Sequence, residues 1–293
     1  MPTLQSSLRL SFSNILFPTD FSNASAAALS YAQAFARIYG ARIFVTHAVT
    51  PHLPIFLPME PVPLEMDGEW YDARERLREF LDSDALRGTV HAGIAENGEL
   101  WNVLDDVIHR HDIDLIILGS HGKHGLTKLV LGSDAEQIFR KSRCPVLTVG
   151  PKVAPPTKSS TFRTIVFATD FSAGSLHALP YALSLAEQNQ AHLILLHVIP
   201  LIPLQHQESV AANARTRLQE LVSKEASDWC LPDCIVRFEF PAEGILNLAR
   251  EQNADLVVMG VHKGTRFASV HLPCAIASVV VCSAPCPVLT VRD

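Results

Sequence analysis

The sequence predicts an α/β protein of two tandem domains, each a doubly wound parallel sheet. Three observations carry that reading: the length, an internal repeat, and the alternation of short apolar runs with helical patterns. The chain has 293 residues, and at roughly 100 to 200 residues per domain such a length suggests two units, each able to bury its own core. The repeat is direct. Asn14-Ile-Leu-Phe-Pro-Thr-Asp-Phe-Ser22 returns as Thr164-Ile-Val-Phe-Ala-Thr-Asp-Phe-Ser172, and Asp114-Leu-Ile-Ile-Leu-Gly119 returns as Asp255-Leu-Val-Val-Met-Gly260. Cys144-Pro-Val-Leu-Thr-Val149 returns letter for letter as Cys286-Pro-Val-Leu-Thr-Val291, and His47 matches His197. The landmarks keep their order, so chance is excluded and a duplication is established. Domain one is expected over residues 1–150 and domain two over 162–293, joined by a linker at 151–161 that holds Pro151, Pro155 and Pro156.

Within the first repeat, strands are expected near 14–19, 42–49, 88–92, 114–119 and 145–149, with helices near 23–39, 69–82, 98–111 and 133–142. Ile15-Leu-Phe and Leu115-Ile-Ile-Leu are apolar on successive residues, as strands covered on both faces must be. Strands that alternate with helices give a parallel sheet with right-handed crossovers and helices on both sides. The second repeat follows the same plan, but a shorter connection after Pro200 replaces the Pro-rich stretch Pro51 to Gly68. A connection of that length reads as either a lid or a packing arm.

Composition narrows the function. Thirty acidic against 24 basic side chains leave a formal charge of -6, which argues against a surface built to neutralise many phosphates, so nucleic acid is not an expected partner. The most apolar stretch, Leu193 to Pro203, is too short to span a bilayer. The amino-terminal residues do not read as a secretory signal, and a cytoplasmic location is the expectation. The six cysteines, Cys144, Cys230, Cys234, Cys274, Cys282 and Cys286, fit reduced, mostly buried thiols. Cys230-x3-Cys234 departs from zinc-site spacing, and no second pair follows it.

The residues that can carry chemistry lie where a doubly wound sheet binds ligands, beyond the carboxyl ends of its strands. Asp20 follows the first strand and Gly119 ends the fourth. Between Gly119 and Ser133 runs Gly-Ser-His-Gly-Lys-His-Gly-Leu-Thr-Lys-Leu-Val-Leu-Gly-Ser. Gly119 and Gly122 let backbone amides approach an anion, and Gly132-Ser133 opens a helix whose N–H groups favour negative charge. Each feature also has a plainer reading. Asp20 can be a turn cap, and Ser133-x-x-Glu136 a capping box. His121 has no nucleophile partner at a recognisable spacing, and His47 and His197 read as structural histidines.

The spacing G-x2-G-x9-G-S, together with Pro18-Thr-Asp-Phe-Ser22, His47-Ala-Val49 and the closing Cys-Pro-Val-Leu-Thr-Val, resembles the ATP-binding branch of the universal stress protein family. The similarity runs over essentially the whole chain, twice. It implies a five-stranded sheet of order 3-2-1-4-5, as in adenine nucleotide alpha hydrolase-like folds. It also implies an adenine nucleotide held by Pro18, Thr19, Asp20, Ala48, Leu118, Gly119, His121, Gly122, Gly132, Ser133 and Asp134. The Asp134 carboxylate repels phosphate unless a cation intervenes, which points to ATP with Mg2+ or Mn2+. No Walker A sequence is present, and no serine- and glycine-rich loop follows the first strand. The expectation is therefore a stress-response or regulatory binder with at most slow ATP hydrolysis, the alternatives being a nucleotide-transferring enzyme of the same superfold or a ligand-free scaffold.

The resemblance also places the fifth strands at sheet edges, which invite pairing. An intramolecular pseudo-dimer is expected, as is a homodimer through the same edges. The second repeat keeps Asp170 and Gly260 but puts Lys263 where the second glycine belongs and Pro273-Cys274 where Gly132 belongs. One nucleotide per chain is expected, in the first repeat. Lys263, Arg266, His262 and His271 are the alternative holders of a different anion.

Overall fold

Residues 10–50, 66–120, 132–156, 162–201, 203–222, 232–261 and 273–293 are described by the computed structural model. The first repeat runs β1 (Asn14–Pro18), α1 (Asn23–Tyr39), β2 (Arg42–Val49), α2 (Met66–Asp82), β3 (His91–Asn97), α3 (Leu100–Arg110), β4 (Leu115–Gly119), α4 (Ser133–Lys141) and β5 (Val146–Val149). The second runs β6 (Thr164–Ala168), α5 (Ala173–His177), α6 (Leu179–Asn189), β7 (His192–Ile199), α7 (Leu204–Gln219), β8 (Asp233–Phe238), α8 (Pro241–Glu251), β9 (Leu256–Val261), α9 (Pro273–Ser283) and β10 (Val288–Arg292).

Strand side chains alternate between faces, and here both faces are covered. Ile15, Phe17, Ile43, Val45, Leu115 and Ile117 pack under α1 and α2 with Ala32, Phe35 and Leu77. Leu16, Phe44, Ile116, Leu118 and Val146 pack under α3 and α4 with Leu104, Ile138 and Phe139. Helix α1 starts where the Ser22 side chain accepts from the Ser25 N–H, and it stops where Gly40 takes the left-handed conformation at φ 67°. Its counterpart is split into α5 and α6 because Pro180 offers no N–H and its ring crowds the preceding turn.

The strand order is β3-β2-β1-β4-β5-β10-β9-β6-β7-β8 in one sheet of ten strands. Each repeat thus has the order 3-2-1-4-5. Pairing is parallel within each repeat, and the sole antiparallel junction among the described strands joins β5 to β10, with Leu147 opposite Leu289. Both fifth strands are therefore paired on both sides. A homodimer through fifth-strand edges has no edge to use in this arrangement, and the strands that end the sheet are β3 and β8. At the same junction Phe35 meets Phe162 at 5.6 Å, and the Tyr31 hydroxyl donates to the Ala154 carbonyl at 2.9 Å. That burial pushes the Tyr31 phenol up to about 12.

The third strand is the main correction to the elements. It was expected near 88–92 and lies at 91–97. Gly88 sits in a turn at φ 79°, Thr89 bonds back to the Leu86 carbonyl, and the Val90 side chain points to solvent at 60% exposure. The ladder to β2 then runs from His91 opposite Ile43 to Asn97 opposite Val49. Within the Pro51–Gly68 stretch, residues 66–68 belong to α2 and 51–65 lie outside the described residues.

Candidate functional site

The chain leaves β1 toward β2 over one face and leaves β4 toward β5 over the other, so a crevice opens between the two strand ends. Parallel register aligns those ends, with Pro18 beside Thr46 and Leu16 beside Ile116. The turn after β1 is tightly specified. The Thr19 N–H donates to the Thr46 carbonyl at 2.9 Å, and the Phe21 N–H donates to the Thr19 hydroxyl at 3.0 Å. Phe21 is held at φ 59°, a left-handed conformation that a bulky side chain adopts only when its surroundings impose it. Asp20 Oδ1 accepts from the Ser22 N–H at 3.0 Å and from the Ser25 hydroxyl at 2.6 Å. The turn-cap reading of Asp20 thus holds.

His47 Nδ1 lies 2.8 Å from the Thr19 carbonyl oxygen, and its ring lies 4.8 Å from that of Phe21. A carbonyl only accepts, so Nδ1 carries the proton, and the histidine ties β2 to the turn. The second repeat reproduces this tie: His197 Nδ1 to the Thr169 carbonyl at 2.8 Å, the ring 4.5 Å from Phe171, and Phe171 at φ 62°. Both histidines are structural, as their positions at the ends of apolar strands predict.

Gly119 is explained first by packing. A Cβ there would lie 2.6 Å from the Ala24 carbonyl oxygen at the start of α1. Gly260 is tighter still, its Cβ falling 2.1 Å from the Gly174 oxygen. Beyond Gly119, the Ser120 N–H donates to the Val149 carbonyl and the Gly132 N–H donates to the Ser120 carbonyl, both at 3.0 Å. This brings the start of α4 to the end of β4. The Ser133 capping box does not form. Gly132 is the N-cap with no side-chain cap hydrogen bond, Ser133 donates to Asp134 Oδ1 at 3.3 Å, and Glu136 accepts instead from Arg140 at 3.1 Å. The capping carbonyl geometry is made by backbone, the Glu136 N–H donating to the Gly132 carbonyl at 3.0 Å. Helix α4 therefore presents its first N–H groups without a side-chain cap.

The structure thus brings Pro18, Thr19, Asp20, Ala48, Leu118, Gly119, Gly132, Ser133 and Asp134 to one end of the sheet. His121 and Gly122 lie outside the described residues, as do Lys263, Arg266, His262 and His271. Two residues of this end were not singled out in the sequence. Ser25, at the third position after Ser22, both meets the cap and holds Asp20. Thr46 is a polar residue inside an apolar strand, 1% exposed, and its hydroxyl has no hydrogen-bond partner among the described residues.

Among the described residues, no group of histidine, cysteine and acidic side chains has the arrangement of a metal site, and no helix is long and apolar enough to cross a membrane. Cys144, Cys282 and Cys286 are buried free thiols. Burial pushes the Cys144 thiol up to about 11 and the Cys286 thiol up to about 12, which disfavours the nucleophilic thiolate.

Residues 11–150 and again 161–292 match the model of the universal stress protein family. A universal stress protein of Methanocaldococcus jannaschii is 27% identical over 142 residues, 47% of this chain and 82% of that protein. One from Thermus aquaticus is 30% identical over 139 residues, 47% of this chain and 98% of that protein. The solved structure of a universal stress protein from Archaeoglobus fulgidus superposes with a TM-score of 0.66 at 19% identity, over 95% of this chain and 98% of that one, a likeness of fold. The chain belongs to the universal stress protein family.

Proposed function

We propose that this universal stress protein is an ATP-binding regulatory protein of the stress response, with one MgATP held in the first repeat and little or no hydrolysis. The observation that carries this reading is the convergence of three features at the ends of β1, β2 and β4. They are Asp20 on its fixed turn, the buried Thr46 hydroxyl with no partner among the described residues, and the start of α4 with no side-chain cap. A buried hydroxyl without a partner costs about 1–3 kcal/mol, which a ligand oxygen or nitrogen offsets. A helix start with its N–H groups uncapped favours phosphate. Asp20 accepts from the ribose hydroxyls, and the sequence from Gly119 to Gly132 offers glycines at 119, 122 and 132 for close backbone approach to phosphate. The carboxylate of Asp134 then sits beside phosphate, which requires Mg2+ or Mn2+ between them.

The two repeats, joined by the ladder between β5 and β10, act on this reading as an internal pseudo-dimer in which ATP occupancy changes contacts with a partner. Calorimetry with MgATP tests the proposal. One site per chain is expected, with binding abolished in a folded Gly122→Val variant because the new side chain fills the loop where phosphate lies. Phosphate release should match that of a His121→Ala control. Two equal sites, no binding, or rapid release dependent on His121 would each overturn the reading.

A further inference from the structure

Each repeat puts one residue into the same strained conformation, on the turn after its first strand. Phe21 stands at φ 59° and Phe171 at φ 62°. Side-chain acceptors wind both turns into that shape. The Phe21 and Ser22 N–H groups donate to the Thr19 hydroxyl and to Asp20 Oδ1, both at 3.0 Å, and the Phe171 and Ser172 N–H groups donate to Thr169 and Asp170 at 2.9 and 3.0 Å. Glycine takes the left-handed region without steric cost, whereas a Cβ there crowds its own backbone. The phenylalanine at both positions must therefore contribute through its ring. Neither ring is fully buried, so filling the core does not account for it.

Each ring meets two distant parts of its repeat. The first is the histidine of the second strand, with centroids 4.8 Å apart for Phe21 and His47 and 4.5 Å apart for Phe171 and His197. The second is a side chain of the helix that follows that strand. Phe80 of α2 meets Phe21 edge to face, with centroids 5.7 Å apart and ring planes at 71°, the arrangement that the charge distribution of aromatic rings favours. Arg217 of α7 lays its guanidinium carbon 4.0 Å from the centroid of Phe171, well inside cation–π range. Helical spacing aims both side chains. Leu77 and Phe80, like Ala214 and Arg217, are three residues apart and share a helix face, and Leu77 and Ala214 are buried. Unlike side chains thus make the same contact in the two repeats, which points to the contact itself as what the turn requires.

We infer that the helix after the second strand clamps the crevice turn of its repeat in the left-handed state through one side chain, Phe80 in the first repeat and Arg217 in the second. Both are positioning residues. They act on Asp20 and Asp170 through the phenylalanine next in the chain. A shift of α2 away from the turn releases Phe21, and the bonds that fix the turn around Asp20 loosen with it. Resting on the nucleotide reading of the first repeat, this makes α2 the element through which a bound partner controls that site.

Amide hydrogen exchange, read residue by residue by NMR on the full chain without ligand, tests the clamp. Phe80→Ala should speed exchange at Phe21, Ser22 and Ser25 on the order of tenfold, while Phe171, Ser172 and Ser175 keep parent rates, as do Ile116 and Ile117 in β4. Arg217→Ala should do the reverse. Phe80→Leu, which keeps the apolar bulk, should restore most of the protection. Phe21→Gly removes both ring and strain, and in that background Phe80→Ala should change Ser22 and Ser25 no further. Parent rates at the turn in Phe80→Ala, equal acceleration in β4, or an effect of Phe80→Ala that persists alongside Phe21→Gly would each overturn the inference. Calorimetry separates it from the nucleotide reading. Phe80→Ala should weaken MgATP about threefold to tenfold and Arg217→Ala not at all. Parent affinity in a Phe80→Ala chain whose turn exchanges faster would overturn the control of the site by α2. A parent chain that binds no MgATP overturns the proposed function, and exchange alone then decides the clamp.

Discussion

The two crevices of this protein share a backbone and differ in their walls. In both, a left-handed phenylalanine follows the first strand, a histidine ties the second strand to the turn, and a glycine lets the first helix press on the fourth strand. In the first repeat, Ser25 turns its hydroxyl to Asp20 at 2.6 Å; in the second, Ser175 pairs instead with Thr169 at 2.8 Å, and Asp170 is held by Ser172. Thr46 and Asp134 face Leu196 and Ile276 as counterparts. The scaffold residues, which are interchangeable between repeats, answer to folding. The diverging pairs lie in the second strands and at the helix starts.

The largest effect that can test this division is at the shared glycines. Gly260→Ala should cost about 3 kcal/mol and Gly119→Ala about 2 kcal/mol, because a methyl group is forced against backbone that cannot rotate away. Urea midpoints measure both, and a smaller loss at Gly260 than at Gly119 would contradict the close approach of 2.1 Å against 2.6 Å. Next, Asp20→Ala should weaken MgATP by about 1–3 kcal/mol, as for a lost charge-assisted hydrogen bond, whereas Asp170→Ala should leave MgATP binding unchanged. Equal effects in calorimetry would mean that the two aspartates are alike in function and the comparison fails.

A smaller effect is expected where the repeats coincide. His47→Ala and His197→Ala should each cost roughly 1 kcal/mol, the worth of one hydrogen bond with some ring contact, and the two values should agree within about 0.5 kcal/mol. Thermal denaturation reads this directly, and a large disparity would show that one histidine has left the scaffold for the site. The least contrast is expected at the thiols. Cys144 and Cys286 stand at equivalent positions, with pKa values pushed up to about 11 and about 12 by burial. Both should react with iodoacetamide at pH 8 on the order of a hundredfold more slowly than an exposed thiol, by peptide mapping of the native chain. Rapid labelling of either would show that the β5–β10 junction opens.

The sequence by itself determined the duplication and the fold class. A repeat is visible because identical turns require identical residues, and buried parallel strands such as Leu115–Gly119 are legible because both faces demand apolar side chains. Helix α1 was expected near 23–39 and lies there, its ends set by Ser22 and Gly40, whose capping roles are local. The split of its counterpart is equally local and follows from Pro180.

What only the tertiary structure decided depends on contacts between distant residues. The third strand ends the sheet with half-exposed residues and carries no apolar run, so its register comes from the ladder to β2. Ser133 had the spacing of a cap, yet Gly132 took that position because its N–H is held by the Ser120 carbonyl at the end of β4. The fifth strands were recognised as edges, but their pairing with each other rests on the complementary packing of Leu147 with Leu289 and Phe35 with Phe162. Leu196, Val198 and Ile276 are in plain view in the sequence as ordinary core residues. That they line one cavity in the second repeat follows from strand register and helix rotation, which are properties of the packed sheet and not of any local stretch of chain.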